Sequence, residues 1–160
     1  MKHRLFNVTV LIIDLLMKPF VFILFMFGIT LGSAQEWHTD FSEAKNIAKA
    51  KDLPIILVFQ GSDWCAPCIK LDREVWSTDE FKDYAKEHYV MLQADFPRRK
   101  KNALPKEQLN KNKALAEGYN QQGIFPFVVV LNADGEVYGE TSYKKLSPKE
   151  YIKEMNSFIK

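Results

Sequence analysis

Trp64, Cys65, Ala66, Pro67 and Cys68 hold both cysteines of this 160-residue chain, three positions apart. Such a pair, placed after an apolar run and at the start of a helix, alternates between dithiol and disulfide, so the chemistry it points to is thiol–disulfide exchange. Cys65 is expected at the helix N-terminus, where free N–H groups and the positive end of the dipole favour a thiolate and lower the pKa. It is the candidate nucleophile. Cys68, one turn further and more enclosed, is the candidate resolving thiol: Cys65 attacks a substrate disulfide, and Cys68 then attacks the mixed disulfide to release reduced substrate. Ala66 and Pro67 tune the pair by what they lack, since Ala66 brings no charge and Pro67 no N–H. With no cation between the cysteines to stabilise a reduced thiolate, the motif leans towards a reductant. Asp63, if near, disfavours a second negative charge, and Lys70 is the candidate to oppose it. The bland alternative is an inert structural disulfide or a buried free pair, but so short a loop gains little from closure. Trp64 is either core or a wall of the substrate groove, and its place beside the nucleophile favours the groove.

Composition narrows the field. Two cysteines are too few for a disulfide framework or a tetrahedral zinc site, unless His38 and His88 joined them or two chains shared a metal, and neither histidine sits at a ligand spacing. No metal and no cofactor are expected. Residues 20–31, FVFILFMFGITL, form a twelve-residue uncharged run behind Lys18 and ahead of Gly32-Ser33-Ala34. That length suits a signal peptide cleaved after Ala34 and falls short of a membrane span. A weaker apolar run over residues 5–16 precedes it, so Met17 is an alternative start of translation, and an uncleaved anchor using both runs is the alternative to cleavage. Residues 1–34 contain Lys2, Arg4, Lys18 and Asp14, so removing them takes the chain's net charge from +2 to zero. No basic footprint for nucleic acid remains. Residues 35–160 are expected to form a single domain.

The elements that must position the cysteines are legible in hydrophobic patterning. Residues 37–40 read as a short strand or an extended lead-in. Asp40 or Ser42 caps a helix to about Lys51, with Phe41, Ala44, Ile47 and Ala48 on one face. Residues 55–59 are a continuous apolar run suited to a central strand covered on both faces. A turn over residues 60–63 leads into a helix over residues 65–75. Ser77 with Glu80 matches a capping box for a helix to about His88. A strand over residues 89–94 follows, and the two strands should pair parallel through the helical crossover. Residues 95–105, DFPRRKKNALP, read as an exposed loop. Arg98 to Lys101 are a candidate contact for an acidic partner, against the commoner reading of a solvated charge run. A helix over residues 106–118, a strand over 127–131, a tight turn at Asn132-Ala133-Asp134-Gly135 and an antiparallel strand over 136–141 come next. Ser147 and Pro148 open a final amphipathic helix with Tyr151, Ile152, Met155, Phe158 and Ile159 inward. The class is α/β, a central mixed sheet flanked by helices.

From about Phe41 to the C-terminus the chain resembles the thioredoxin superfamily, whose WCGPC motif differs from WCAPC only at Ala66. The run Phe59-Gln60-Gly61-Ser62-Asp63-Trp64-Cys65, the Asp95-Phe96-Pro97 after the third strand and the basic insert are similar to exported thioredoxin-like disulfide reductases of the DsbH type. The resemblance implies a thioredoxin-like fold and a cis proline at Pro126, opposite the cysteines, with Phe125 and Phe127 flanking the substrate groove. It implies disulfide-bonded exported proteins as substrates, a membrane thiol donor for re-reduction, and a periplasmic or otherwise exported location, with membrane attachment if the N-terminal segment stays. Two departures stand out. Thioredoxin's buried acid falls here at Val58 or Phe59, and Gly-X-Pro-Thr has become Gly123-Ile124-Phe125-Pro126-Phe127. The leading expectation is a protein-disulfide reductase. A disulfide isomerase or oxidase, or a non-catalytic interaction module using the basic loop, are the alternatives.

Overall fold

The central strand holds a run of five apolar residues, and the fold is arranged around it. In a computed structural model that describes residues 35–159, β2 (Ile55–Gln60) carries IILVFQ, with its first five residues buried. Both faces need cover, because alternate side chains of a strand point to opposite sides. Ile56 and Val58 enter one core layer with Leu71, Val75, Trp76 and Met155, while Ile55, Leu57 and Phe59 enter the other with Ala44, Ala48 and Leu115.

The five-stranded sheet has the order β1-β3-β2-β4-β5. β1 (Trp37–His38) and β2 flank β3 (Val90–Asp95) in parallel, and β4 (Phe127–Leu131) runs antiparallel to both β2 and β5 (Val137–Ser142). The sheet is mixed, as the patterning predicts. Helices α1 (Phe41–Lys51), α2 (Ala66–Leu71), α3 (Asp79–His88), α4 (Lys106–Tyr119) and α5 (Pro148–Phe158) complete the domain. α1 and α4 supply the layer around Phe59, whereas α2, α3 and α5 supply the layer around Val58. The hairpin turn between β4 and β5 uses the Asn132 carboxamide oxygen, which accepts N–H bonds from Asp134 and Glu136, and Gly135 at φ +96°. A side chain at Gly135 would be strained at that φ and would press on Phe41 and Tyr119.

Three local expectations are corrected. The helix predicted over residues 65–75 is α-helical only to Leu71 and continues as a π-helical turn over Asp72–Trp76, closed by the Ser77 N–H on the Asp72 carbonyl at 2.7 Å. The wider turn lets the consecutive Val75 and Trp76 both bury, at 0% and 2% exposure, and Trp76 packs on Phe81 and Tyr151. Ser77 is consequently not the cap of α3. It closes the π turn in a helical conformation, while Thr78 is extended at ψ 147° and accepts the Phe81 N–H through its hydroxyl. The loop after β3 also contains a short 3-10 turn, Lys100–Asn102. Elsewhere Asp40 caps α1, the Ser147–Glu150 capping box opens α5, and Ile152, Phe158 and Ile159 are half-buried around the buried Tyr151 and Met155. The expected signal or anchor segment, residues 1–34, and the start at Met17 lie outside the described residues.

Candidate active site

β2 runs out at Gln60, and the chain turns sharply because the Gly61 carbonyl accepts N–H bonds from Trp64 and Cys65, at 3.2 and 2.9 Å. This turn sets Cys65 at the N-cap of α2, where its sulfur accepts the Cys68 N–H at 3.3 Å. Cys65 and Cys68 are joined in a disulfide with S–S 2.03 Å. Both cysteines are buried, Cys65 at 4% exposure and Cys68 at 3%, so the expected difference in enclosure between them is slight.

Trp64 is locked from several sides. Its indole lies so close to Gly61 that a Cβ there would come within 2.3 Å of the ring, so only glycine permits the approach. Its Nε1–H donates to the Phe96 carbonyl at 2.7 Å. Phe125 meets it edge-on at 5.6 Å, Phe96 meets Phe125 at the same distance, and the Arg98 guanidinium lies 3.6 Å from the indole centroid. Trp64, Phe125 and the loop after β3 therefore form one aromatic wall. Phe127 is not part of it. The first residue of β4, it packs on Phe59 in the layer under α1 and α4, held there by its place in the ladder opposite Phe59.

The Phe125–Pro126 peptide bond is cis. Phe59 pairs with Phe127 across β2 and β4, so Pro126 leaves the ladder beside Gln60, at the end of the sheet that carries the cysteine turn. The buried Asn120 fixes this loop, accepting the Ile124 N–H and donating to the Ile124 carbonyl, both at 2.9 Å. The Pro126 carbonyl accepts the Ser142 hydroxyl. Neither Asn120 nor Ser142 carries a sequence signal, since both act through contacts formed only once the chain is folded.

Two carboxylates clamp the turn to the loop after β3. Asp95 accepts the Ser62 N–H at 2.8 Å and the Ser62 hydroxyl at 2.6 Å. Asp63 accepts the N–H groups of Arg98 and Arg99, at 2.9 and 3.0 Å, and the Asn102 side-chain amide at 2.9 Å. The Arg98 amide is the largest of several influences holding the Asp63 carboxyl below its ordinary range. All three of these contacts lie in the basic loop, so Asp63 acts as its anchor. Lys70 is exposed on α2, and its charge acts on Glu74.

No acid takes the place of thioredoxin's buried one. Val58 and Phe59 are both fully within the apolar layers. Gln60, on the same face as Val58, instead lines a cleft of about 190 Å³ with Ser62, Cys68, Ile69 and Asp72. Asp72 stands one helical turn beyond Cys68, its N–H on the Cys68 carbonyl. The cleft gives Cys68 a polar border that faces solvent. Among the described residues there is no group of three or more His, Cys, Asp or Glu side chains able to hold a metal ion.

A thioredoxin-like family model matches residues 36–133, a span that contains the dithiol, the Asp63 clamp and the cis proline. The chain belongs to the thioredoxin superfamily. Within the superfamily it is 34% identical, over 125 residues, to the disulfide bond reductase DsbH of Chlamydia pneumoniae, covering 78% of this chain and 73% of that protein. A solved structure of a DsbH oxidoreductase aligns with TM-score 0.73 at 31% identity, covering 79% of this chain and 85% of the other. A thioredoxin from Thermus thermophilus shares the fold at TM-score 0.56 and 17% identity, covering 78% and 86%. This thioredoxin-superfamily chain is thus a DsbH-like thiol–disulfide oxidoreductase with a Cys-X-X-Cys pair.

Proposed function

We propose that this chain is an exported protein-disulfide reductase. The observation that carries the reading is the Cys65 sulfur at the head of α2, one turn from Cys68 and with the Cys68 N–H directed at it. In the reduced protein that N–H and the helix end favour the Cys65 thiolate. The thiolate attacks one sulfur of a substrate disulfide, which breaks and leaves the other sulfur as a substrate thiolate. Cys68 then loses its proton to water in the cleft lined by Gln60, Ser62 and Asp72. The Cys68 thiolate attacks Cys65, the mixed disulfide breaks, and the second substrate thiolate departs. Two electrons have passed to the substrate, and the Cys65–Cys68 disulfide remains.

Trp64 and Phe125 wall the groove in this reading, and the Pro126 loop receives the substrate backbone. Ala66 and Pro67 add neither charge nor donor between the sulfurs, which favours the reducing direction over oxidase or isomerase work. The uncharged run at residues 20–31 supports export. A reducing dithiol outside the cytoplasm needs an electron supply, for which a membrane thiol donor is the proposed source, and disulfide-bonded exported proteins are the proposed substrates.

Reduction of insulin disulfides tests the reading. The wild-type chain should turn insulin over, Cys65→Ser should abolish turnover, and Cys68→Ser should stall with insulin disulfide-linked to Cys65. Turnover that survives in Cys65→Ser would overturn it.

A further inference from the structure

The loop after β3 carries four consecutive cations, Arg98, Arg99, Lys100 and Lys101, which bring the net charge of residues 35–160 to zero. All four side chains are exposed. Their placement is not that of a free surface loop. Asp63, two residues before the nucleophile, takes the backbone N–H groups of Arg98 and Arg99, and Asn102 donates to the same carboxylate. Trp64, next to the nucleophile, donates to the carbonyl of Phe96 and lies under the Arg98 guanidinium. The loop is therefore fastened to the two residues that precede Cys65. The fastening uses main-chain groups, the Asn102 side-chain amide and one cation–π contact from Arg98, so it leaves the charges of Arg99, Lys100 and Lys101 available. Among the described residues, none of the four cations has a carboxylate within ion-pair distance.

We propose that this anchored basic loop is a specificity surface of the dithiol, selecting disulfides whose flanking residues are acidic. The proposal rests on the disulfide-reductase reading above and names the substrate class for that same site. A substrate sulfur at Cys65 brings its neighbouring residues past Trp64 and Arg98. Acidic side chains there lie within a Debye length of the loop, about 8 Å at physiological ionic strength, where attraction between exposed charges is still felt. The gain appears in the rate of encounter and in the lifetime of the docked complex rather than in the chemistry of exchange. An anionic membrane surface would also meet four cations. Their attachment to the residues that precede the nucleophile favours a partner that reacts there.

The test uses three synthetic peptides, each with one disulfide flanked by four Glu, four Gln or four Lys residues, and the pre-reduced full-length chain. Second-order rate constants are measured at low salt and at 0.5 M NaCl, roughly 4 Å in Debye length. The expected order is acidic over neutral over basic, with at least about a tenfold span between the extremes at low salt that shrinks at high salt. The triple variant Arg99→Gln, Lys100→Gln, Lys101→Gln should lose most of that span. Arg98 is kept because it stacks on Trp64. A triple variant with the same charge change elsewhere, Lys145→Gln, Lys149→Gln, Lys153→Gln, should retain it. Equal rates for the three peptides, or a span that survives in the loop variant, would overturn the proposal. A flat peptide series with loop-dependent binding to phosphatidylglycerol vesicles would assign the loop to membrane contact and overturn it equally. Failure to reduce any peptide would reject the reductase reading itself, a different result from uniform reduction of all three.

Discussion

Gly61 shows how one residue sets the geometry of the dithiol. Its carbonyl makes the turn that lifts Cys65 to the helix end, and its missing side chain lets the Trp64 indole lie against the backbone. In Gly61→Ala the added methyl would fall within 2.3 Å of the ring, so the indole must move and lose its bond to the Phe96 carbonyl. The expected cost is about 1–3 kcal/mol, read as a lower urea midpoint, with a shift in tryptophan fluorescence. An unchanged midpoint would show that the indole is not held there. At this scale the sequence is informative about chemistry and weak about support. Two cysteines at a redox spacing announce themselves, because residue type and spacing carry the signal. Asn120, Ser142 and Gln60 do not, because each is an ordinary polar residue whose role depends on which strand end it meets.

The junction between α2 and α3 is where element patterning and tertiary packing part company. Residues 77–80 satisfy a capping box on paper, yet the π turn places Ser77 in a helical conformation and passes the cap to Thr78. Burial of Trp76 decides the matter, since a large side chain gains more from the core than a cap contributes. Thr78→Ala should therefore destabilise the domain by about 1 kcal/mol in urea unfolding. Ser77→Ala should stay within about 0.5 kcal/mol. The reverse ranking would restore the sequence-based boundary. The basic loop is a second case. Its charges and prolines predict an exposed segment, which it is, but its fixed position follows from Asp63, more than thirty residues earlier. Because the folded protein holds the Asp63 carboxyl below its ordinary value, the anchoring contribution is fully present above the ordinary carboxylate range. It is lost as pH falls through the lowered folded value. Hydrogen-exchange protection of the Arg98 and Arg99 amides should accordingly persist through the ordinary carboxylate range and be lost only at pH below it, and Asp63→Asn should weaken it at neutral pH. Protection unchanged at that lower pH would remove Asp63 as the anchor.

Across the whole molecule, the sheet order brings together segments that lie far apart in the chain. The turn after β2, the loop after β3 and the loop before β4 share one end of the sheet because β3 and β4 flank β2 on either side. The α/β class, the central position of β2 and the closing hairpin were all readable from apolar runs and turn residues. The aromatic wall was readable only in part: Phe125 meets Trp64, Phe96 meets Phe125 and accepts the Trp64 indole N–H at its carbonyl, and Phe127 packs on Phe59. Phe125 and Phe127 stand two apart, so alternation does not separate them in the sequence; Phe125 precedes β4 and meets Trp64 from the loop, whereas Phe127 is held in the ladder opposite Phe59.

The proposed direction of electron flow rests on a motif with no cation and one missing donor between the sulfurs. The most direct measurement is the equilibrium of the Cys65–Cys68 couple with a glutathione redox buffer. The account predicts a reducing potential near that of thioredoxin, about −270 mV. A value near the oxidising end of the superfamily, about −120 mV, would contradict it and assign the same two cysteines to making disulfides rather than breaking them.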